Sequence, residues 1–462
     1  MRNSVNSLRA AGLLAALTAS ALTPLAAQTT ANSELDSLRE QIRLLDQKLR
    51  VLERNYELKE EAAAASAKKQ PKLTVGDGRI EVVSSDGANS LRLRGLVQAD
   101  ARFYLDDANA AQDGFVLRRA RLIFEGKFSD IFQYVVQPEF GGTVQLLDAN
   151  INAVIAPEFQ VRVGRFKTPI GLEQLQSDSV AFFNERSVAT NLTPNRDVGV
   201  SLHGDVFTNR LNYEVGAFNG QLDGGNSPTT NLNAEGDFTA VARLFATPFV
   251  NDKDSALKGL GFGIAAGTGN YKTGAPGIGY RTDGQQTFFA YRGTTVTNGT
   301  ATTISPQAYF YTGPLGVLAE YVSSSSELAN GANAREITNT ALNLSVGYVL
   351  TGEDSGYGGV RPKTNFSPSA GTWGAFEIVG RYARVDIDDA VFAGGATSLA
   401  APATNASAVT SYGLGLNWYL SRTVRANFDL FQSKFDFSGA RPATGALSDD
   451  ETAFITRVQV SF

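Results

Sequence analysis

The densest set of residues able to do chemistry lies in FVLRRARLIFEGKF, Phe115–Phe128. Spaced by two, Arg119, Arg121, Glu125 and Lys127 share one face of an extended chain, while Leu122, Phe124 and Phe128 share the other. Arg92, Arg94 and Arg102 recur at even spacing in the run just before it. On adjacent strands these residues form a cationic stripe. Guanidinium groups set this closely in a confined aqueous passage raise the local anion concentration and repel cations. The competing expectation is that Asp100, Glu125 and Asp148 neutralise them and leave little selectivity. Arg118 breaks the alternation. Arginine in hydrocarbon is costly, so either a bulge re-aims it inward or it lies near an interface and snorkels.

Bond-making chemistry has much thinner support. The chain has no Cys and one His. A serine nucleophile ordinarily wants a histidine base, and His203 in VSLHGD has the setting of a polar strand-end residue. Carboxylates are scattered without metal-ligand spacing. Gly261, Gly263 and Gly267 lack the dinucleotide fingerprint. The expectation is therefore no enzyme, no metal and no cofactor. The net charge of −5 argues against a nucleic-acid partner.

The elements that must position the arginines have period two. From Leu91 onward, Arg92, Arg94, Leu96, Gln98, Asp100, Arg102 and Tyr104 alternate with Leu91, Leu93, Gly95, Val97, Ala99, Ala101 and Phe103. Tyr412, Leu414, Leu416 and Trp418 alternate with Gly413, Gly415 and Asn417. Leu342, Leu344, Val346 and Tyr348 alternate with Asn343, Ser345 and Gly347. Small and polar residues on the second face suit a wet interior. The closing segment ETAFITRVQVSF, Glu451–Phe462, carries an apolar outer face and ends on Phe. No apolar run outside the N-terminus approaches the length of a spanning helix, which leaves a closed barrel as the way across a membrane.

Short connections fall at Ser129-Asp130, Ala156-Pro157, Phe207-Thr208, Gly313-Pro314 and Ser421-Arg422. Long polar loops are expected at Asp106–Gly114, Asn219–Gly236, Ser324–Arg335, Asp386–Ser407 and Asp436–Asp450. Short periplasmic turns and long external loops are the bacterial pattern. Seventeen strand-like runs can be counted. Demoting the weakest, Phe288–Arg292, to a loop element leaves an even sixteen. The expected fold is all-β: a 16-stranded antiparallel transmembrane β-barrel over residues 91–462. Thr168–Asn195 is long and mixes charged with aromatic residues, so the segment 168–195 is expected to fold into the lumen, with an external lid as the alternative.

The N-terminus has the order of a secretory signal over residues 1–27: Arg2 and Arg9, an apolar stretch Ala10–Leu22, then small residues before Gln28. Ser33–Glu61 places Leu35, Ile42, Leu49 and Tyr56 on one seam position and Leu38, Leu45 and Leu52 on the other, the coiled-coil period. Residues 62–90 are expected to be a linker.

Several motifs resemble the phosphate- and polyphosphate-selective porin family, the O/P porins. They are GLVQAD (Gly95–Asp100), LRRAR (Leu117–Arg121), LLDA (Leu146–Ala149), VGRFKTPIGLE (Val163–Glu173), ER (Glu185–Arg186) and SPQAYFY (Ser305–Tyr311). The resemblance implies a trimeric sixteen-stranded channel whose constriction loop and first strands form an anion site. It places the family's paired arginines on Arg118 and Arg119, their acidic partner on Asp148, and a loop serine and arginine on Ser177 and Arg186. An arginine, a lysine and a tyrosine of phosphate-selective members fall here on Leu96, Gln174 and Arg121. The expected anion-binding set is Arg118, Arg119, Arg121, Asp148, Ser177 and Arg186, with Asp148 orienting the arginines. Arg92, Arg94, Arg102 and Lys127 complete a basic lumen stripe. Small anions, outer-membrane lipid and two further copies of the chain are the expected partners, with the helix in the periplasm. A weakly selective pore whose coiled coil tethers the cell wall is the alternative.

Overall fold

The computed structural model describes residues 27–76, 78–105, 112–226, 237–272, 274–277, 279–439 and 447–462. The signal segment, apart from residue 27, lies outside them. Two compact units are present, residues 1–70 and 71–462.

The first unit is a single helix, Ala27–Lys69. It extends well beyond the seven seam residues named above, all of which are exposed. The expected linker is therefore partly regular. Its first residues continue the helix, and Lys72–Gly76 and Arg79–Val83 form a hairpin. The alanines and lysines that suggest a linker are also good helix formers.

Eighteen strands hydrogen-bond into one sheet in the second unit. Sixteen of them, from Ser90–Tyr104 to Asp450–Ser461, pair antiparallel in chain order, and the last closes on the first. Closure sets Phe454 opposite Phe103, with ring centroids 6.3 Å apart. Phe462 fixes the end of the seam. The Gly95 amide donates to its carbonyl at 2.9 Å, and its own amide donates to the Gly95 carbonyl at 3.1 Å. Its ring lies so close to Gly95 that a Cβ there would meet a ring carbon at 2.4 Å, so any side chain at this position must displace the ring. The hairpin's second strand pairs with Ser90–Leu93 on the same edge, beyond the last strand's end.

The pleat sorts side chains as the alternation requires. Along Asn333–Val349, Leu342, Leu344, Val346 and Tyr348 are exposed outside, while Asn339, Asn343 and Ser345 are buried inside. An apolar band on the outer face is the lipid-contacting surface of a membrane barrel. Of the weakest strand-like run, Phe288–Arg292, only the first two residues are strand: Thr287–Phe289 pairs with Tyr280–Arg281 in a separate two-stranded sheet within an outer loop.

Two sequence expectations fail here. Ser324–Arg335 is no loop: Leu315–Asn330 and Asn333–Val349 are continuous strands joined at Gly331, which has φ 61°. Serine suggests a loop by composition, yet Ser324 and Ser326 take the buried face in register. Sixteen residues extend roughly 50 Å, which at a strand tilt of about 40° reaches about 38 Å along the membrane normal against an apolar band of about 25 Å, so this hairpin stands proud of the membrane. Nor is the interior wet throughout. Tyr280, Phe288 and Phe289 of the outer loop pack on Val322, Ile337, Val385, Val409 and Phe435 of the wall, with Val188 and Leu192 between them. These inward-facing apolar residues sit where the alternation gives way near the outer strand ends.

Candidate channel constriction

Strand Phe159–Lys167 ends where the long connection turns inward, and the chain rejoins the wall at Arg196. The Thr168 amide donates to the Asn195 carbonyl at 2.8 Å, closing the neck. From there the segment spans the lumen, held from both sides. Glu320 accepts the Leu172 and Glu173 amides at 2.7 and 3.1 Å. Arg381 pairs with Glu173 at 2.8 Å. Asn417 and Arg425 donate to the Phe182 carbonyl, and Gln98 and Gln459 donate to the carbonyls of Asp178 and Ser179. Lys167, at the neck, donates to the carbonyls of Gln174, Leu175 and Gln176 at 2.7, 3.3 and 2.9 Å. That cation completes the free C-terminal carbonyls of the one-turn helix Leu172–Leu175.

Against this segment stand the arginines of the wall. Gln98 pairs with Arg119 and Ala99 with Leu117, so Arg118 is the extra residue of a β-bulge. The bulge resolves its parity. Arg118 Nε and Nη2 donate to Glu185 Oε1 and Oε2 at 2.6 and 2.9 Å. Arg119 donates to Gln98 Oε1 at 2.8 Å and lies 3.3 Å from Asp178. Arg121 bonds Glu139 at 2.5 Å and also Asp178. Arg186 meets Asp178 at 2.6 Å. Arg102 and Arg457 share Asp100 and Glu185.

Six arginines thus face four carboxylates, Asp100, Glu139, Asp178 and Glu185, a surplus of two positive charges. Burial opposes ionisation of Asp178 and Glu185. The guanidiniums of Arg119, Arg186 and Arg121 around the first, and of Arg118, Arg457 and Arg119 around the second, overcome it and hold both well below the usual carboxylate range. The Arg118 side chain keeps 30% of its surface exposed, against 14% or less for the other five, so it offers the most accessible charge.

Other expected site residues fall elsewhere. Asp148 does not orient these arginines: it bonds Arg196 at 3.0 Å. Their carboxylate partners are Asp178, Glu185 and Glu139, which sequence reasoning did not select. Asp178 and Glu185 sit in the flagged long connection, where acids facing an arginine-rich strand were the available signal. Ser177 reaches only Ser179, at 3.0 Å. Arg92 and Arg94 meet Glu125 at 3.4 and 3.1 Å, and Lys127 meets Asp130 at the turn. The departures Leu96 and Gln174 are both buried. His203 bonds Asn152 at 2.9 Å, with Arg162 beside it, and neither of these partners is a hydroxyl nucleophile. Among the described residues no cluster of His, Asp and Glu is set to hold a metal.

Below the connection the lumen opens into a vestibule of about 870 Å³ lined by Arg92, Arg94, Arg121, Arg196 and Arg425 among others. In all, nine Arg or Lys residues line it against four Asp or Glu.

A closed sixteen-stranded barrel with a charged segment across its lumen has the architecture of a channel of the porin class. The chain belongs to the family described as phosphate-selective porin O and P, whose model matches residues 91–462. It is an outer-membrane porin. The fold is similar to in-vitro folded OmpT of Vibrio cholerae, at TM-score 0.51 and 11% identity over 85% of this chain and all of that one. It is also similar to the outer membrane channel DcaP of Acinetobacter baumannii, at 0.51 and 11% over 81% and 98%. OmpF of Salmonella typhi in complex with daunomycin gives 0.50 and 11% over 81% and 98%. No curated protein matches the chain.

Proposed function

We propose that this porin passes small anions across the outer membrane by facilitated diffusion, as a homotrimer, with phosphate or polyphosphate as candidate solutes. The observation that carries this is the charge imbalance. The constriction has six arginines for four carboxylates, and the vestibule beneath has nine basic residues for four acidic ones. In a confined aqueous passage with low-dielectric walls a fixed surplus of that kind draws anions in. Arg118 meets the solute. Arg119, Arg121 and Arg186 set the potential behind it, and Ser177 supplies a hydroxyl at the vestibule side. Arg92, Arg94 and Arg102 extend the field along the wall, while Lys127 contributes only at the turn. No bond is made or broken.

Carboxylates within the arginine set prevent tight trapping, since conduction needs release as well as binding. The same pairing favours a second reading, a weakly selective diffusion pore, because every constriction arginine has an acidic partner. The trimer follows the family resemblance, and a related fold, OmpT of Vibrio cholerae, has been solved in what is described as a trimer form. The N-terminal helix then projects into the periplasm, where its seam joins the three copies. Reversal potentials of single channels in a KCl gradient test the proposal. A potential of anion-selective sign supports it, a value near zero favours the weakly selective pore, and cation selectivity rejects the anion function.

A further inference from the structure

A second, smaller pocket of about 230 Å³ opens in the periplasmic half of the lumen and shares no lining residue with the vestibule. Arg243, Phe245, Tyr309, Tyr357, Asn212 and Asp205 line it. Its arginine differs from those of the constriction. Arg243 Nε donates to Gln307 Oε1 at 3.1 Å and Nη1 to Asn212 Oδ1 at 3.3 Å, both neutral acceptors. No carboxylate pairs with it among the described residues, and Nη2 is left for a ligand. Its guanidinium lies 4.6 Å above the Phe245 ring. Phe245 lies 5.0 Å from Tyr309, which stacks on Tyr357 at 5.4 Å and 24°. Tyr357 comes from the long periplasmic connection and is fixed there by its hydroxyl, which donates to the Leu172 carbonyl at 2.6 Å.

We infer that this pocket binds a small aromatic carboxylate, its carboxylate on Arg243 and its ring against Tyr309 and Phe245. A guanidinium prepositioned by two neutral acceptors presents its remaining edge to a carboxylate. Stacked aromatic walls complement a flat apolar body. Asp205, held by the Asn212 amide at 3.0 Å, adds a negative charge to the same lining, and the fields of Glu214 and Glu320 also reach Arg243. The pocket therefore does not gather anions by charge alone, and compact oxyanions such as phosphate gain little there. Ring contact decides what binds. This deepens the anion-channel proposal by naming a solute class, but rests on separate residues.

The test is block of KCl current through the purified full-length protein in planar bilayers, with benzoate, acetate or inorganic phosphate added on the side of the short turns. Benzoate should half-block at a concentration about tenfold or more below that of acetate or phosphate. Arg243→Gln should abolish the difference. Tyr309→Leu keeps the charge, and should raise the benzoate concentration for half-block about tenfold while leaving acetate unchanged. Tyr309→Leu also serves if Arg243→Gln does not insert. Benzoate no better than acetate, or unchanged benzoate block in either variant, overturns the inference. The KCl-gradient reversal potential is read on the same channels. An anion-selective wild type without benzoate preference rejects this pocket alone, whereas cation selectivity rejects the anion channel and leaves the benzoate comparison to judge the pocket.

Discussion

Arg118 and Glu185 close a two-pronged contact, at 2.6 and 2.9 Å, between a bulged residue of the barrel wall and the segment that crosses the lumen. The bulge gives up one ladder position to turn a guanidinium inward. Glu185 is also held by Arg102 and Arg457, so the contact ties the segment to three strands. Removing Arg118 leaves Glu185 paired and lowers the local surplus from two charges to one. Arg118→Ala should therefore fold normally and reduce the anion-to-cation permeability ratio by roughly two- to fivefold. Reversal potentials of variant and wild type give the ratio, and an unchanged value removes Arg118 from the solute path.

Glu185→Gln tests the other partner. Four buried or half-buried arginines, Arg102, Arg118, Arg119 and Arg457, would lose a shared carboxylate, and breaking a buried pair from one side costs about 3 kcal/mol or more. The variant should unfold at lower temperature in detergent, followed by the heat shift on gels. Channels that do insert should be more anion-selective than wild type. Wild-type stability with wild-type selectivity would show that Glu185 is not what holds these arginines.

Much of this architecture is legible in one sequence, because a barrel wall repeats a two-residue rule in every strand. Val458 and Val460 outside, Arg457 and Gln459 inside, follow from alternation alone. What escapes is whatever joins residues far apart in the chain. Glu185 and Arg457 are 272 positions apart and Asp178 and Arg121 are 57 apart, pairings that no local pattern encodes. Asp148 shows the converse: the resemblance brought it to the arginines of one strand, while the register places it against Arg196. The dry packing under the outer loop is hidden likewise, since Phe288 and Phe289 look like a weak strand until Phe435 and Val409 are found facing them.

Lys167 should act as a latch on the crossing segment. Its ammonium is buried against three carbonyls, all from residues 174–176. Lys167→Met keeps the length and loses every bond, leaving the Gln174 and Leu175 carbonyls without that donor at a cost of about 1–3 kcal/mol each at most, while the Gln176 carbonyl keeps its bond from Arg186 at 2.8 Å. Open-channel current noise should rise and the thermal midpoint fall. A quiet channel of wild-type stability would mean the segment is held by its far-side contacts alone.

The outer loops should respond to pH through Asp223. Its carboxylate accepts from Ser324 at 2.6 Å and from Tyr280 at 2.5 Å, joining three elements with no cation bonded to it. Burial, only partly offset by these bonds, raises it from 3.8 to about 6. A carboxyl raised by folding contributes most below its unfolded value, and that contribution is lost as pH rises through about 6. Amides of residues 279–291 should therefore exchange with deuterium faster at pH 8 than at pH 5, beyond the intrinsic base catalysis. Asp223→Asn should flatten that excess. Equal excess in the variant would place the sensitivity elsewhere.

The helix Ala27–Lys69 leaves its seam uncovered in one copy: Leu45 is 64% and Leu49 57% exposed. A stripe of leucines at alternating three- and four-residue spacing is stable in water only when another helix covers it. If three copies meet there, replacing both leucines by aspartate should lower the temperature at which the trimer separates on mildly denaturing gels, while the barrel of each copy stays folded. The barrel's own heat shift provides the internal control. Trimers that separate at the wild-type temperature would assign the assembly to the barrel walls and leave the helix to a different partner.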